Sequence, residues 1–118
     1  MNYANAKAYL LSKPEAAEDY PFGAEAAVFK IRGKMFALLI EVKGAASLNL
    51  KCDPDEALAL RDIFPAITPG YHMNKKHWNT VQLDGTVPRG ELERMIDNSF
   101  MLVIKGMPKT KRPLVTDN

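Results

Sequence analysis

Two short apolar segments separated by a glycine-containing turn constrain the fold of this chain more than any other feature. The segments are residues 27–32 and 35–42, and Gly33 and Lys34 lie between them. Two residues with glycine first are typical of a type II′ turn, so the pattern predicts a β-hairpin. The second segment is apolar at nearly every position, which indicates a strand that is buried on both faces. The hairpin therefore predicts a sheet with this second strand at its centre.

Helix signals lie on both sides of the hairpin. Helical spacing of apolar residues predicts an opening helix that ends before Pro14 and a final helix that begins at Pro88. Asp53 predicts the start of a middle helix, because its carboxylate is suited to accept hydrogen bonds from the first free N–H groups of a helix. Pro54 suits the first helical position.

The remaining periodic segments predict three more strands. Apolar and polar residues alternate over residues 47–52, and residues 71–73 and 77–83 are predicted to pair across a tight turn. The element order is helix, three strands, helix, two strands, helix (α-β-β-β-α-β-β-α). This order predicts an α+β two-layer sandwich in which three helices cover one face of a five-stranded antiparallel sheet.

Length and composition predict one domain in a reducing compartment. We expect the 118-residue chain to form a single domain over residues 1–108, followed by a flexible basic tail over residues 109–118. The single cysteine excludes an internal disulfide. The first residues lack the basic and apolar pattern of a signal peptide, and residues 35–40, the longest apolar run, are too few to span a membrane. We therefore expect a cytoplasmic monomer without membrane contact.

Residues 69–81 (PGYHMNKKHWNTV) combine aromatic, basic and amide side chains more densely than any other part of the sequence. They include the single tryptophan and both histidines, with no acidic residue among them. A hairpin tip at Lys75 and Lys76 is suited to neutralise phosphates. Trp78 has two interpretations, because it is suited either to stack on an exposed base or to fill the core.

These residues resemble a known family. Residues 48–54 (LNLKCDP), residues 69–81 and residues 20–23 (YPFG) occur in the order found in the MmcQ/YjbR family. The resemblance extends over essentially the whole domain. It implies a compact α+β fold, similar to type III secretion chaperones and distantly to frataxin-like CyaY domains. It also implies DNA binding, since the exposed hairpins of family members look like a double wing. It implies no catalytic residues, because none is established in the family.

Catalysis, metal binding and cofactor binding have weaker support in the sequence. His72, His77 and Cys52 do not have the spacing of a metal site with three or four ligands. Cys52 lies on the apolar side of its predicted strand, where a thiol behaves as a small hydrophobic group rather than as a nucleophile. The glycines stand singly and form no phosphate-binding loop. We therefore expect no enzyme activity, metal or cofactor.

Two classes of function remain open. In the first, the protein binds DNA weakly and mainly through phosphates, with the central hairpin and the basic ending. The candidate contacts are His72, Asn74, Lys75, Lys76, His77, Asn79, Lys109, Lys111 and Arg112. In the second, it binds a protein partner through an exposed sheet face or helix groove, as secretion chaperones do. A wide exposed apolar patch would favour the second class, and salt-dependent binding to polyanions would favour the first.

Overall fold

The computed structural model describes residues 1–70 and 73–114 and shows an α+β fold with one antiparallel sheet. The helices are α1 (Tyr3–Leu11), α2 (Pro54–Ile63) and α3 (Arg89–Lys105), with a short 3-10 helix at Lys109–Lys111. The strands are β1 (Ala17–Asp19), β2 (Ala26–Ile31), β3 (Lys34–Val42), β4 (Ala45–Lys51), β5 (Ile67–Pro69) and β6 (Trp78–Gln82). The strands lie in the order β1-β2-β3-β4-β6-β5. The predicted α+β class, three helices and inner position of β3 are confirmed.

The prediction of five strands was wrong, because the sheet has six within the described residues. The extra strand β1 lies between α1 and the predicted hairpin, where no strand was predicted. Its sequence, Ala-Glu-Asp, has no apolar alternation, and it is held by pairing with β2. An ion pair of 3.1 Å between Lys30 and Asp19 supports that pairing. β5 occupies residues 67–69, where no strand was predicted, while Tyr71 and His72 of the predicted strand 71–73 lie outside the described residues.

The β2–β3 turn consists of Arg32 and Gly33, one residue earlier than predicted, because Ile31 pairs with Lys34. Arg32 and Gly33 have φ angles of 51° and 79°. Positive φ at both central positions defines a type I′ turn rather than the type II′ turn expected. Lys43 and Gly44 repeat this geometry at the other end of β3, with φ angles of 52° and 79°.

A β-bulge at Phe36 connects the sheet to the helix layer. Phe29 pairs with Ala37 and Lys30 pairs with Met35, so Phe36 is the extra residue on β3. Its buried ring packs edge-on against Phe100 of α3, with 5.1 Å between ring centroids. The bulge therefore places a large aromatic side chain in the core.

Helix α3 packs on β3 and β4, with α1 and α2 on either side of it. The Tyr9 hydroxyl of α1 donates to the Asp97 carboxylate of α3 at 2.8 Å. Burial, together with that bond, raises the pKa of Tyr9 to about 12. On the other side, Arg94 of α3 donates to Glu56 of α2 at 2.6 Å. The side chain of Asp53 accepts from the N–H groups of Asp55 and Glu56, which confirms the predicted helix cap.

Candidate functional site

The segment before β6 is a tight turn that exposes two lysines. The Asn74 side-chain oxygen accepts from the Lys76 N–H at 3.0 Å, and the His77 N–H donates to the Asn74 carbonyl at 3.2 Å. Lys75 and Lys76 are exposed, as predicted. Asn74 is also exposed, although its oxygen is already engaged in the turn. Neither lysine takes part in an ion pair with another described residue, so the turn offers two ammonium groups to a ligand.

Arg61 of α2 connects this turn to the helix layer, and no pattern in the sequence indicated that role. Its Nε donates to the Asn79 side-chain oxygen at 2.7 Å. Its Nη2 donates to the Lys75 carbonyl and, at 3.4 Å, to the Trp78 carbonyl. One planar guanidinium thus contacts the turn, the first residue of β6 and a side chain beneath them. A charged residue on a helix is ordinarily read as solvent-exposed, so its sequence carried no signal of this role.

Asn79 is not on the surface, and the expectation that it is exposed was wrong. Its side chain is only 2 % exposed and faces the helix layer, where it accepts from Arg61 and donates to the Ala57 carbonyl at 3.4 Å. β6 is an inner strand and is covered on both faces, because Thr80 on its other face is buried as well. Because both faces of β6 are buried, the alternation of its residues did not distinguish a core face from a solvent face. Asn79 is a structural residue and is unavailable to a ligand.

The aromatic and histidine side chains of residues 69–81 are half-buried where the structure describes them. Trp78 is half-buried, between the two interpretations that the sequence left open, and its strand partner is Lys51. His77 is half-buried, and its carbonyl accepts from the Cys52 N–H at 2.7 Å. His72 lies outside the described residues, so its contact with DNA stays a prediction. Within residues 1–70 and 73–114, no three His, Cys, Asp or Glu side chains are placed to hold a metal ion.

Cys52 is buried, as predicted, with 7 % of its surface exposed. Burial raises the pKa of its thiol to about 11, and the nearby Glu56 carboxylate acts in the same direction. The thiol borders a cavity of about 10 Å³, also lined by Leu60 and Met95. That volume holds about one water molecule. The cavity beside Cys52 is therefore too small to hold a substrate, which argues against a nucleophilic role for this thiol.

Residues 109–112 contact the end of α3 through Arg112, and the flexibility expected of residues 109–118 stays a prediction. They begin with the 3-10 helix, and the Arg112 guanidinium then folds back onto the end of α3. It donates to the carbonyls of Met107 at 3.0 Å and Lys105 at 2.8 Å. A cation at these carbonyls complements the negative end of the α3 dipole. The side chains of Lys109 and Lys111 remain exposed. No signal in the sequence identified the backbone carbonyls that hold Arg112.

Strand order brings these basic groups to one end of the molecule, which we call the basic end. β2 and β4 finish there and β3 and β6 begin there, while Lys34 and Lys51 line a common depression with the end of α3. The basic end comprises Arg32, Lys34, Lys51, Lys75, Lys76, Lys105, Lys109, Lys111 and Arg112, nine of the chain's 16 lysines and arginines. Two carboxylates near this end are engaged, because Glu15 bonds Arg32 at 2.6 Å and Asp53 caps α2. The central turn and the C-terminal residues therefore belong to one surface.

The fold belongs to a known class of small α+β proteins. The family model described as YjbR matches residues 11–102, and the chain therefore belongs to the YjbR family. The uncharacterized protein YbdF of Escherichia coli O157:H7 is 42% identical over 107 residues, which cover 91% of this chain and 88% of that protein. The uncharacterized protein YjbR of Escherichia coli strain K12 is 32% identical over 107 residues, 91% of each chain.

Two solved structures of proteins with similar sequences have the same fold as this chain. A crystal structure of a Deinococcus radiodurans protein, described by the domain family DUF419, superimposes with a TM-score of 0.86 at 38% identity. The match covers 93% of this chain and 84% of that one. A crystal structure of a Pseudomonas syringae protein gives a TM-score of 0.78 at 32% identity, covering 87% of this chain and 99% of that one. In the described part of this chain, no helix is both long and apolar enough to cross a membrane.

Proposed function

We propose that this protein binds DNA through phosphates that contact its basic end. The observation that carries the proposal is the gathering of nine cations at one end, with Glu15 and Asp53 already engaged in other bonds. Such a surface attracts a polyanion whatever its sequence. Resemblance to a family described as DNA-binding points in the same direction.

The spacing of the cations suits a nucleic-acid backbone. β3 and β6 are separated only by β4, so their ends at Lys34 and Trp78 lie roughly 10 Å apart at the usual distance between strands. A duplex carries about six phosphate charges over that length. The central turn and the C-terminal residues are thus able to contact one ligand together. Because these contacts reach phosphates rather than base edges, we expect little sequence preference.

The contacting residues differ from those that the sequence suggested. Lys75, Lys76, Lys109 and Lys111 supply exposed ammonium groups, and Arg112 adds a guanidinium that is already bonded to carbonyls. Asn79 is removed from the set because it is buried. Lys34 and Lys51 join the set because they lie on the same end.

Protein binding is the alternative, and the surface gives it less support. The large exposed apolar side chains are spread over several elements: Leu11 on α1, Tyr20 and Phe22 in the β1–β2 loop, Val42 on β3, Leu58 and Ile63 on α2, and Leu114 after the 3-10 helix. A protein interface of ordinary size presents a contiguous apolar core. A secretion-chaperone-like role stays a prediction.

The proposal is tested by fluorescence anisotropy of a labelled duplex at two salt concentrations. The test variant is Lys75→Gln/Lys76→Gln. Its matched control is Lys43→Gln/Arg89→Gln, which removes two exposed cations from the opposite end of the molecule. We expect the slope of log affinity against log salt to fall by up to about 1.8 in the test variant, since each phosphate contact contributes about 0.9. The control should retain the slope of the unaltered protein. No binding at low salt, or equal loss in both variants, would refute the proposal.

A further inference from the structure

A groove runs between the β2–β3 turn and the residues that follow α3. One part, about 550 Å³, is lined by Arg32, Lys34, Met107, Pro108 and Lys111, among others. The adjoining part, about 250 Å³, is lined by Lys34, Met35, Lys51, Val103 and Met107 with Gly106. The two parts share Lys34, Gly106 and Met107, so they form one depression, which we call the C-terminal groove. The larger part has the volume of a small-ligand site.

The walls of the C-terminal groove are cationic and its floor is apolar. Neither part is lined by a carboxylate. Within the described residues, Lys34, Lys51 and Lys111 take part in no ion pair. Met107 and Val103 supply a buried floor, and Met35 lies half-buried beside it. Free ammonium groups above an apolar floor match a ligand that has both anionic and flat apolar parts.

The position of Arg112 favours an anion in this groove. The carboxyl end of α3 borders the groove at Gly106, and the free carbonyls of a helix end carry partial negative charge that repels anions. Arg112 donates to two carbonyls of this region, those of Lys105 and Met107. The guanidinium thus offsets the negative end of the helix dipole.

We propose that the C-terminal groove binds a segment of single-stranded nucleic acid. Phosphates contact Lys34, Lys51 and Lys111, and a base lies on the floor formed by Val103 and Met107. Thioether sulfurs make favourable contacts with aromatic rings, which suits methionines beneath a base. A duplex cannot use this floor, because its bases are stacked inside the helix and only its backbone reaches the groove. A planar lipid surface does not enter a groove. This inference rests on the proposed function and specifies the form of the ligand.

The test compares a fluorescein-labelled oligothymidylate with the same oligomer annealed to its complement. We expect the single strand to bind more tightly than the duplex, because only its bases reach the apolar floor. Lys34→Gln/Lys111→Gln should weaken single-strand binding roughly 10-fold and should weaken duplex binding as well, since both ligands present phosphates to these lysines. Lys43→Gln/Arg89→Gln, with the same change of charge, should leave both affinities unchanged. Lys34 and Lys111 are exposed, so the variant should keep its fold, which circular dichroism verifies.

The outcomes separate this inference from the proposed function. Unchanged single-strand binding in Lys34→Gln/Lys111→Gln, or a single strand that binds more weakly than the duplex, would overturn the groove. Duplex binding without single-strand binding would also overturn it and leave the proposed function standing. No binding of either oligomer at low salt would overturn both. A further outcome is that the unaltered protein binds phosphatidylglycerol vesicles but neither oligomer, and that Lys34→Gln/Lys111→Gln no longer binds the vesicles. That result would overturn the inference and identify a lipid surface as the ligand.

A cross-linking measurement tests the floor independently of charge. An oligomer that contains 5-iodouracil, irradiated in the complex, should attach to peptides that contain residues 34–35 or 103–111. Cross-links confined to the central turn at residues 73–78 would place the base elsewhere and overturn the groove assignment.

Discussion

The side-chain oxygen of Ser99, on α3, accepts a hydrogen bond from the backbone N–H of Lys51, on β4, at 2.9 Å. The same hydroxyl donates to the Phe36 carbonyl on β3 at 2.5 Å. Regular pairing of β3 with β4 begins at Ala37 and Leu50, so Ser99 continues the ladder where the bulge interrupts it. A helix side chain thus satisfies two backbone groups that would otherwise be buried without partners.

Replacement of Ser99 by alanine should leave those two backbone groups unpaired. We expect Ser99→Ala to lower the free energy of unfolding by about 1–3 kcal/mol, the usual cost of an unsatisfied buried polar group. Ser12→Ala is the control, because Ser12 is exposed and bonds only a carbonyl of its own helix end. We expect the control to change the free energy by less than about 0.5 kcal/mol. Urea unfolding of the two variants measures the difference, and similar values would refute the bridging role.

Arg61 should stabilise the protein through the several hydrogen bonds of its planar guanidinium rather than through its charge. Arg61→Lys keeps the charge but cannot reach Asn79, Lys75 and Trp78 together. We expect a loss of about 1–2 kcal/mol in the free energy of unfolding. Arg89→Lys, at an exposed ion pair with Glu93, should cost less than about 0.5 kcal/mol. Equal losses in the two variants, measured by urea unfolding, would contradict this role.

Gly70 is required because the β5–β6 pair leaves no space for a side chain there. A Cβ atom at Gly70 would lie 2.8 Å from the Cβ of Trp78 and 3.0 Å from its carbonyl oxygen. We expect Gly70→Ala to destabilise the protein by about 1–3 kcal/mol. Gly90→Ala, in the first turn of α3 with open space around it, should instead stabilise by about 0.4–1 kcal/mol. Thermal unfolding of both variants should therefore give shifts of opposite sign.

The raised pKa of Cys52 predicts slow labelling and a loss of stability in base. With a pKa of about 11, the thiolate fraction at pH 7 is about 10⁻⁴, so iodoacetamide should react much faster with the unfolded than with the folded chain. The folded state holds the thiol proton more tightly than the unfolded state does. Its contribution to stability is therefore complete below the ordinary thiol pKa, near 9, and is lost as the pH rises towards about 11.

Comparison of stability at several pH values tests the second part. Cys52→Ala should show a smaller decline in the free energy of unfolding between pH 8 and about 10.5 than the unaltered protein. Rapid labelling of the folded protein at neutral pH would show that the thiol is accessible in the folded state. Identical declines would show that folding does not raise its pKa.

Local signals in the sequence predicted those parts of the fold that local interactions determine. Asp53 and Pro54 predicted the start of α2, because a cap depends only on residues a few positions apart. The helical spacing of apolar residues after Pro88 predicted the final helix, which is α3. β3 was placed inside the sheet because both of its faces are apolar.

The predictions were wrong or incomplete where contacts between residues far apart in the sequence determine the structure. β1 has no strand pattern of its own and forms because β2 offers a free edge. Asn79 was expected on the surface because alternation assigns one face to solvent, whereas α2 covers that face. Arg61 and Arg112 bond backbone carbonyls, which have no signature in a sequence. The grouping of basic residues at one end depended on strand order, which the sequence did not establish.

The two outer strands of the sheet restrict how a partner is able to approach. β1 and β5 are three residues long, β1 carries Glu18 and Asp19, and β5 ends at Pro69, which has no N–H to donate. Short, charged or proline-bearing edges discourage the addition of a strand from another chain. A ligand that extends the sheet edge to edge would find at most three residues to pair with on either side. Recognition by β-augmentation is therefore disfavoured, which leaves the ends and faces of the molecule for binding.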